Sequence, residues 1–157
     1  MAELQSRTAD RNAVQAGLQA VLVGTPILTL DGELPVEYLQ PGDRVLTRAG
    51  MRRLKQIEVA LVQNARVVTI AHGTLGVDRP TRDVTVSARQ EILVRDWRAR
   101  AICGTSQAMI AAKSLADGEY IRAVTLPEAR LFTLFFEDEV VIYAGGLELT
   151  CPAFVAA

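Results

Sequence analysis

Turn signals recur so closely along this chain that no element between them can be long. Asp31-Gly32, Pro41-Gly42-Asp43, the Gly/Pro/Asp/Thr-rich run from His72 to Asp83, Gly118 and Glu137-Asp138 cut it into short apolar segments. Asp-Gly is a hairpin turn pair. Pro41 presets φ, and Gly42 can supply the positive φ that a type II turn requires before the next strand. Between these marks, "PILTL", "RVLTR", "RRLKQIEVALV", "ARVVTIA" and "VTVSARQEILV" read as strands, the last being the cleanest. "SQAMIAAKSLADGEYI" reads as a short helix ending near Gly118. "RLFTLFFEDEVVIYAGG" gives two strands meeting at Glu137-Asp138, and "LELTCPAFVAA" reads as an edge strand or tail. Val36 and Leu39 are expected to point inward. The spacing leaves no room for parallel βαβ units, so the prediction is a compact all-β fold of many short strands with one or two minor helices.

Half of the 157 residues are hydrophobic, enough for the core of one domain. With 17 basic and 18 acidic side chains, the net charge of −1 carries no footprint for nucleic acid or an anionic membrane. Arg95, Arg98 and Arg100 gather around Trp97, which reads as a solvated turn. Cys103 and Cys151 are too few for a disulfide framework and read as free thiols. His72 is the single histidine, which argues against a zinc site, and no metal or cofactor is expected. No basic-then-apolar leader and no membrane-length apolar run stands out, so a cytoplasmic protein is expected. Val14, Leu18, Val21 and Leu22 share one helical face, which predicts either a short helix over 8–20 or a disordered leader. The expected division is a leader, 1–19, and a domain, 20–157.

Four blocks in order resemble a known family. "GTPILTLDGELPVEYLQPGDRVLT", "GTLGVDRPTRDVTVSARQEILVRDWRA", "MIAAKSLADG" and "FFEDEVVIYAGGLE" are similar to the Hint domains, the hedgehog/intein fold, and closest to the bacterial Hint-type domains outside true inteins. The likeness spans roughly residues 20–150. It implies self-directed acyl transfer. A Cys or Ser that opens such a domain attacks the preceding carbonyl, and a histidine protonates the departing nitrogen.

Carried onto this sequence, the likeness finds those groups replaced. The nucleophile position, four residues before Gly24-Thr25, holds Ala20, whose methyl cannot attack a carbonyl. The histidine block matches "TVSARQEILV", with Ser87 opening it and Gln90 in the histidine position. Gln has no titratable proton near neutral pH. A later histidine position falls at Glu139, or Asp138 if the register shifts by one. Ala20, Gln90 and Glu139 are expected to converge. Thr150 precedes Cys151, where a splicing intein would present Asn. The resemblance therefore implies a degenerate module serving a structural or interaction role, with an unidentified protein partner. Two alternatives stand beside it: self-cleavage through another nucleophile such as Cys103 or Thr25, and ligand or peptide binding in the vacated cleft. Cys103 is expected to pack under the loop that follows it. His72 reads as a loop or core histidine, and Glu137-Asp138-Glu139 as a turn.

Overall fold

A computed structural model of the chain describes residues 19–155, so most of the 8–20 helix expectation lies outside the described residues. Strands β1 (Val21–Leu22), β2 (Pro26–Thr29) and β3 (Gly32–Pro35) come first, and a single 3-10 turn (Val36–Tyr38) leads to β4 (Arg44–Thr47) and β5 (Gly50–Arg53). The long β6 (Gln56–Ile70) is followed by a loop, then β7 (Val84–Ser87) and β8 (Glu91–Val94). Helix α1 (Trp97–Cys103), β9 (Ala108–Ala111) and the one-turn α2 (Ala112–Leu115) precede the second long strand, β10 (Ile121–Phe135), and then β11 (Val140–Ala144) and β12 (Leu147–Cys151).

Two sheets result. β1, β10, β6 and β7 close into a small barrel, with β1 pairing on both β10 and β7. The other strands form one sheet in the order β3-β2-β4-β11-β12-β8-β9, with β5 added on β4. The main core includes Ile27, Val36, Ile70, Val86, Ile92, Phe136, Ile142 and Leu149. A second apolar cluster lies on the β6–β10 pair, where Ala20 packs with Ala60, Val62, Ala65, Val67, Ala129 and Leu131.

The early turns form as the sequence dictates. Gly42 has φ +94, Asp43 N–H donates to the Gln40 carbonyl at 3.1 Å, and Val36 and Leu39 are buried. In the first hairpin Thr29 faces Gly32, so the turn pair is Leu30-Asp31 and Gly32 already belongs to β3. The Gly145-Gly146 pair joins β11 to β12 with both φ positive, as a two-residue hairpin requires.

Five elements differ from the sequence expectation. The two strands expected over 52–71 are arranged as β5 and then one continuous β6. Tertiary pairing overrides the local break: β10 runs antiparallel to β6 from Ile121↔Ile70 to Phe135↔Gln56, and in that register Pro127, which has no N–H to give, falls opposite Asn64. "VTVSARQEILV" is two strands, not one, and they belong to different sheets. The Arg/Trp turn is a helix, α1, capped by the Asp96 side chain accepting from Arg98 N–H and closed by Gly104 at φ +72. The expected helix over 106–121 begins instead as β9. The supposed edge or tail, "LELTC", is β12, buried at every residue between β11 and β8.

Candidate functional site

The break inside "VTVSARQEILV" builds the site. Along an uninterrupted strand, Ser87 and Gln90 would point to opposite faces. Here β7 ends at Ser87 and Gln90 N–H donates to the Ser87 carbonyl at 3.0 Å, a turn that carries the chain from barrel to sheet. Both side chains are buried. Ala20 enters against Ser87: its N–H donates to Ser87 Oγ at 3.3 Å, and Ser87 N–H donates to the Ala20 carbonyl at 2.9 Å. The Ala20 methyl faces the second apolar cluster and is 2% exposed.

Gln90 faces carbonyl acceptors. The two N–H groups of its Nε2 are shared among Gln19 Oε1 at 2.9 Å, the Glu91 carbonyl at 3.0 Å and the Thr150 carbonyl at 2.9 Å. The same Gln19 oxygen accepts from Glu91 N–H at 2.6 Å, and Gln19 Nε2 reaches the Arg89 carbonyl at 3.5 Å. Gln19, the residue just before Ala20, therefore has its own side chain seated in the site. Sequence reasoning missed both Gln19 and Thr150. Nothing local marks Gln19, and Thr150 enters through its carbonyl, which carries no residue signal.

The structure links Ala20, Ser87 and Gln90 by hydrogen bonds, and none of these bonds includes Glu139. Glu139 and Asp138 are exposed in the turn between β10 and β11, and Glu139 makes no hydrogen bond or ion pair with any residue of the site. Glu139 precedes Val140, which pairs with Cys151 beside the Thr150 that meets Gln90, yet its side chain is exposed and gives the junction no hydrogen bond.

The other candidate groups lie apart. Cys103 is exposed at the end of α1, which corrects the expectation that it packs under the next loop. The αL turn at Gly104 leads the chain away from it. Iodoacetamide should label Cys103 in the native protein, while Cys151 should react only after denaturation. Cys151 is buried in β12, and that burial pushes its thiol well above the ordinary range. Thr25 Oγ1 is held by donation to the Leu22 carbonyl at 2.7 Å. His72 sits exposed in the 71–83 loop, 3.7 Å from an Asp78 oxygen. Among the described residues, no three His, Cys, Asp or Glu side chains gather as a metal set would.

None of the five side chains at the site, Gln19, Ala20, Ser87, Gln90 and Thr150, titrates near neutral pH. Together they can hold a backbone segment by hydrogen bonds. They supply neither a thiol nor an imidazole.

One charged group is buried nearby on β12. Glu148 accepts hydrogen bonds from Arg48 at 2.6 Å, from Arg79 at 3.1 Å and from Arg95 at 3.1 Å. Arg79 also donates through Nη2 to the Leu93 carbonyl at 3.0 Å, and its buried Nε finds no acceptor among the described residues. This knot ties the β4–β5 turn, the 71–83 loop and the end of β8 to one strand.

The comparisons agree with this architecture. A family model described as the Hint domain matches residues 20–151. A bacterial intein-like domain from Clostridium thermocellum superposes with a TM-score of 0.64 at 14% identity, covering 87% of this chain and 99% of that one. The gp41-1 intein gives 0.55 at 12% identity over 85% of this chain and 97% of that chain. A DnaB intein from Synechocystis sp. PCC 6803 gives 0.54 at 10% identity over 85% and 99%. At such identities these likenesses establish the fold alone. A search of curated proteins finds no match. No helix among the described residues is long and apolar enough to cross a membrane. With the family match over most of its length and the inteins' fold around the Ala20–Ser87–Gln90 junction, the chain belongs to the Hint domain family.

Proposed function

We propose that this chain is a Hint domain that has lost autoprocessing and serves as a structural or interaction module. One observation carries the reading. The groups that would attack and protonate are replaced by a buried methyl at Ala20 and by a Gln90 carboxamide committed to three carbonyl acceptors. A primary amide cannot protonate a leaving nitrogen at neutral pH. The junction therefore acts as an anchor: the chain enters the domain with Gln19 clamped by Gln90 and Glu91, and residue 20 locked to Ser87. The alternative, cleavage through Cys103 or Thr25, gains nothing from the geometry. Neither group hydrogen-bonds to the junction, and Thr25 Oγ1 is engaged elsewhere.

Intact mass tests the proposal. Freshly purified protein should keep its full mass through hours of incubation with dithiothreitol or hydroxylamine at neutral pH. A product that begins at Ala20 or Val21 would overturn the reading.

A further inference from the structure

Beside the anchor lies a feature that the anchor does not use. Where β7 stops at Ser87, β6 continues outward, and the part of β6 before Val67 pairs with β10 alone. On its other edge, no described strand follows. An unpaired edge offers a row of backbone donors and acceptors and is a template for an added strand.

This edge opens into a groove of about 640 Å³ lined by residues of β6, β10, the β7–β8 turn and α2. Its accessible apolar surface comes from Val124, while Val62 and Val67 are buried beneath it in the second apolar cluster. Its charge comes from Arg66, Arg89 and Lys113, three cations supplied by three separate elements. All three are exposed, and none forms an ion pair with a described carboxylate. No acidic residue lines the groove, although the whole chain carries one more acid than base. The closest link to a carboxylate is Glu128, which accepts from Gln63 at the rim at 2.8 Å.

We propose that this groove binds an extended acidic peptide segment of a partner protein, added as a strand along the open edge of β6. The register explains the chemistry. A strand in β7's line of pairing would meet the backbone of β6 from Val62 to Arg66. Asn64, at φ +52, bends β6 midway along this stretch, so the added strand would meet a curved edge. An apolar side chain suits the exposed Val124, and carboxylates suit Arg66, Arg89 and Lys113. Nucleic acid fits less well. The groove has no aromatic side chain on which a base could stack, and the protein as a whole is weakly anionic. Residues 1–18 also fit less well, because Glu3 and Asp10 are balanced by Arg7 and Arg11. The inference stands independently of whether the Gln19–Ala20 bond can react.

The full chain should be titrated by fluorescence anisotropy into a panel of labelled heptapeptides. In these, Glu or Asp alternates with Val, Ile or Thr, and Lys-for-acid versions serve as controls. Acidic members should bind more tightly than their Lys counterparts by about tenfold or more, and added salt should weaken them. Arg89→Glu with Lys113→Glu should lose about tenfold of that affinity, whereas Arg52→Glu with Arg53→Glu on the far hairpin should not. Thermal melts would confirm that both variants fold, and amide shifts on the bound protein should centre on Val62–Val67. Three results would each overturn the proposal: no acidic peptide bound above its Lys control, affinity unchanged by the groove reversal, or equal binding of a short single-stranded oligonucleotide.

Discussion

Ala20→Cys combined with Gln90→His should release residues 1–19 in the presence of excess thiol, at a rate set chiefly by the histidine. The cysteine sulfur would attack the Gln19 carbonyl carbon. The C–N bond to residue 20 would then break, with the freed nitrogen taking the proton from the imidazole and a thioester remaining. Added thiol exchanges into that thioester and frees the segment. Acid–base assistance of this kind is worth about 10²–10⁴-fold, so Ala20→Cys alone should be slower by that factor. The geometry favours the attempt. Ser87 Oγ already holds the residue 20 N–H at 3.3 Å, and position 90 already reaches the Gln19 side chain. Glu139→His should add little, because Glu139 is exposed and makes no hydrogen bond with the junction among the described residues. Mass spectrometry over hours measures the release. If the double variant folds and the leader is retained, the change in this domain extends beyond the two side chains, and the reading of an otherwise intact scaffold fails.

The second large effect is on stability. Glu148→Ala would leave Arg48, Arg79 and Arg95 facing one another with no anion between them. Breaking a buried ion pair from one side costs about 3–5 kcal/mol; Arg48 and Arg95 are partly solvated, which favours the lower end. About 3 kcal/mol would lower Tm by roughly 6–12 °C in a chain of this size. Glu148→Gln keeps the shape and an acceptor, and should lose less. The same group sets a pH dependence. Burial alone would raise the Glu148 pKa, but hydrogen bonds from Arg48 and Arg79 and the charge of Arg95 outweigh it, so it lies below the ordinary 4.5. A lowered carboxylate pKa contributes stability that is present above the unfolded value and lost as pH falls through the folded one. Asp117, which accepts from the N–H groups of Ile121, Glu119 and Tyr120, is shifted the same way. Stability should therefore fall as pH drops below about 4.5, and the Glu148→Gln variant should show a shallower decline over that range. Equal acid sensitivity in both proteins would assign the loss to other carboxylates.

What the sequence could say followed from local chemistry. The Pro41-Gly42 turn, the inward Val36 and Leu39, and the break at Glu137-Asp138 were legible because each rests on φ preference or on burial within a few residues. The failures share a different cause. "VTVSARQEILV" alternates so well that no residue announces its division, yet the two halves find partners in different sheets, and only that tertiary demand makes the turn at Ala88–Gln90. β12 looked like a tail because five residues near the end of a sequence carry no hint of their neighbours. At the site, pattern singled out Ala20 and Gln90, both of which hydrogen-bond to Ser87. Gln19 and the Thr150 carbonyl were hidden, because a backbone acceptor and a clamp formed across the sheet leave no mark in spacing. Glu139, expected at the same place, is exposed and shares no hydrogen bond with Gln90.

The central place of β12 has a consequence for how the chain is made. Among the described residues, β8 and β9 join the rest of the large sheet only through β12, and Gln90 takes one of its three acceptors from that strand. During vectorial synthesis the barrel strands and both flanks of the large sheet emerge from the ribosome before the strand that unites them. Until Leu147–Cys151 appears, β8 and β11 expose edges that only β12 can cover. Each pairing it then makes with β8 closes a long loop, at the entropic cost that slows folds rich in distant contacts. The nascent chain must therefore pass through a stage with two waiting edges, the period in which it is most open to chaperones and to self-association.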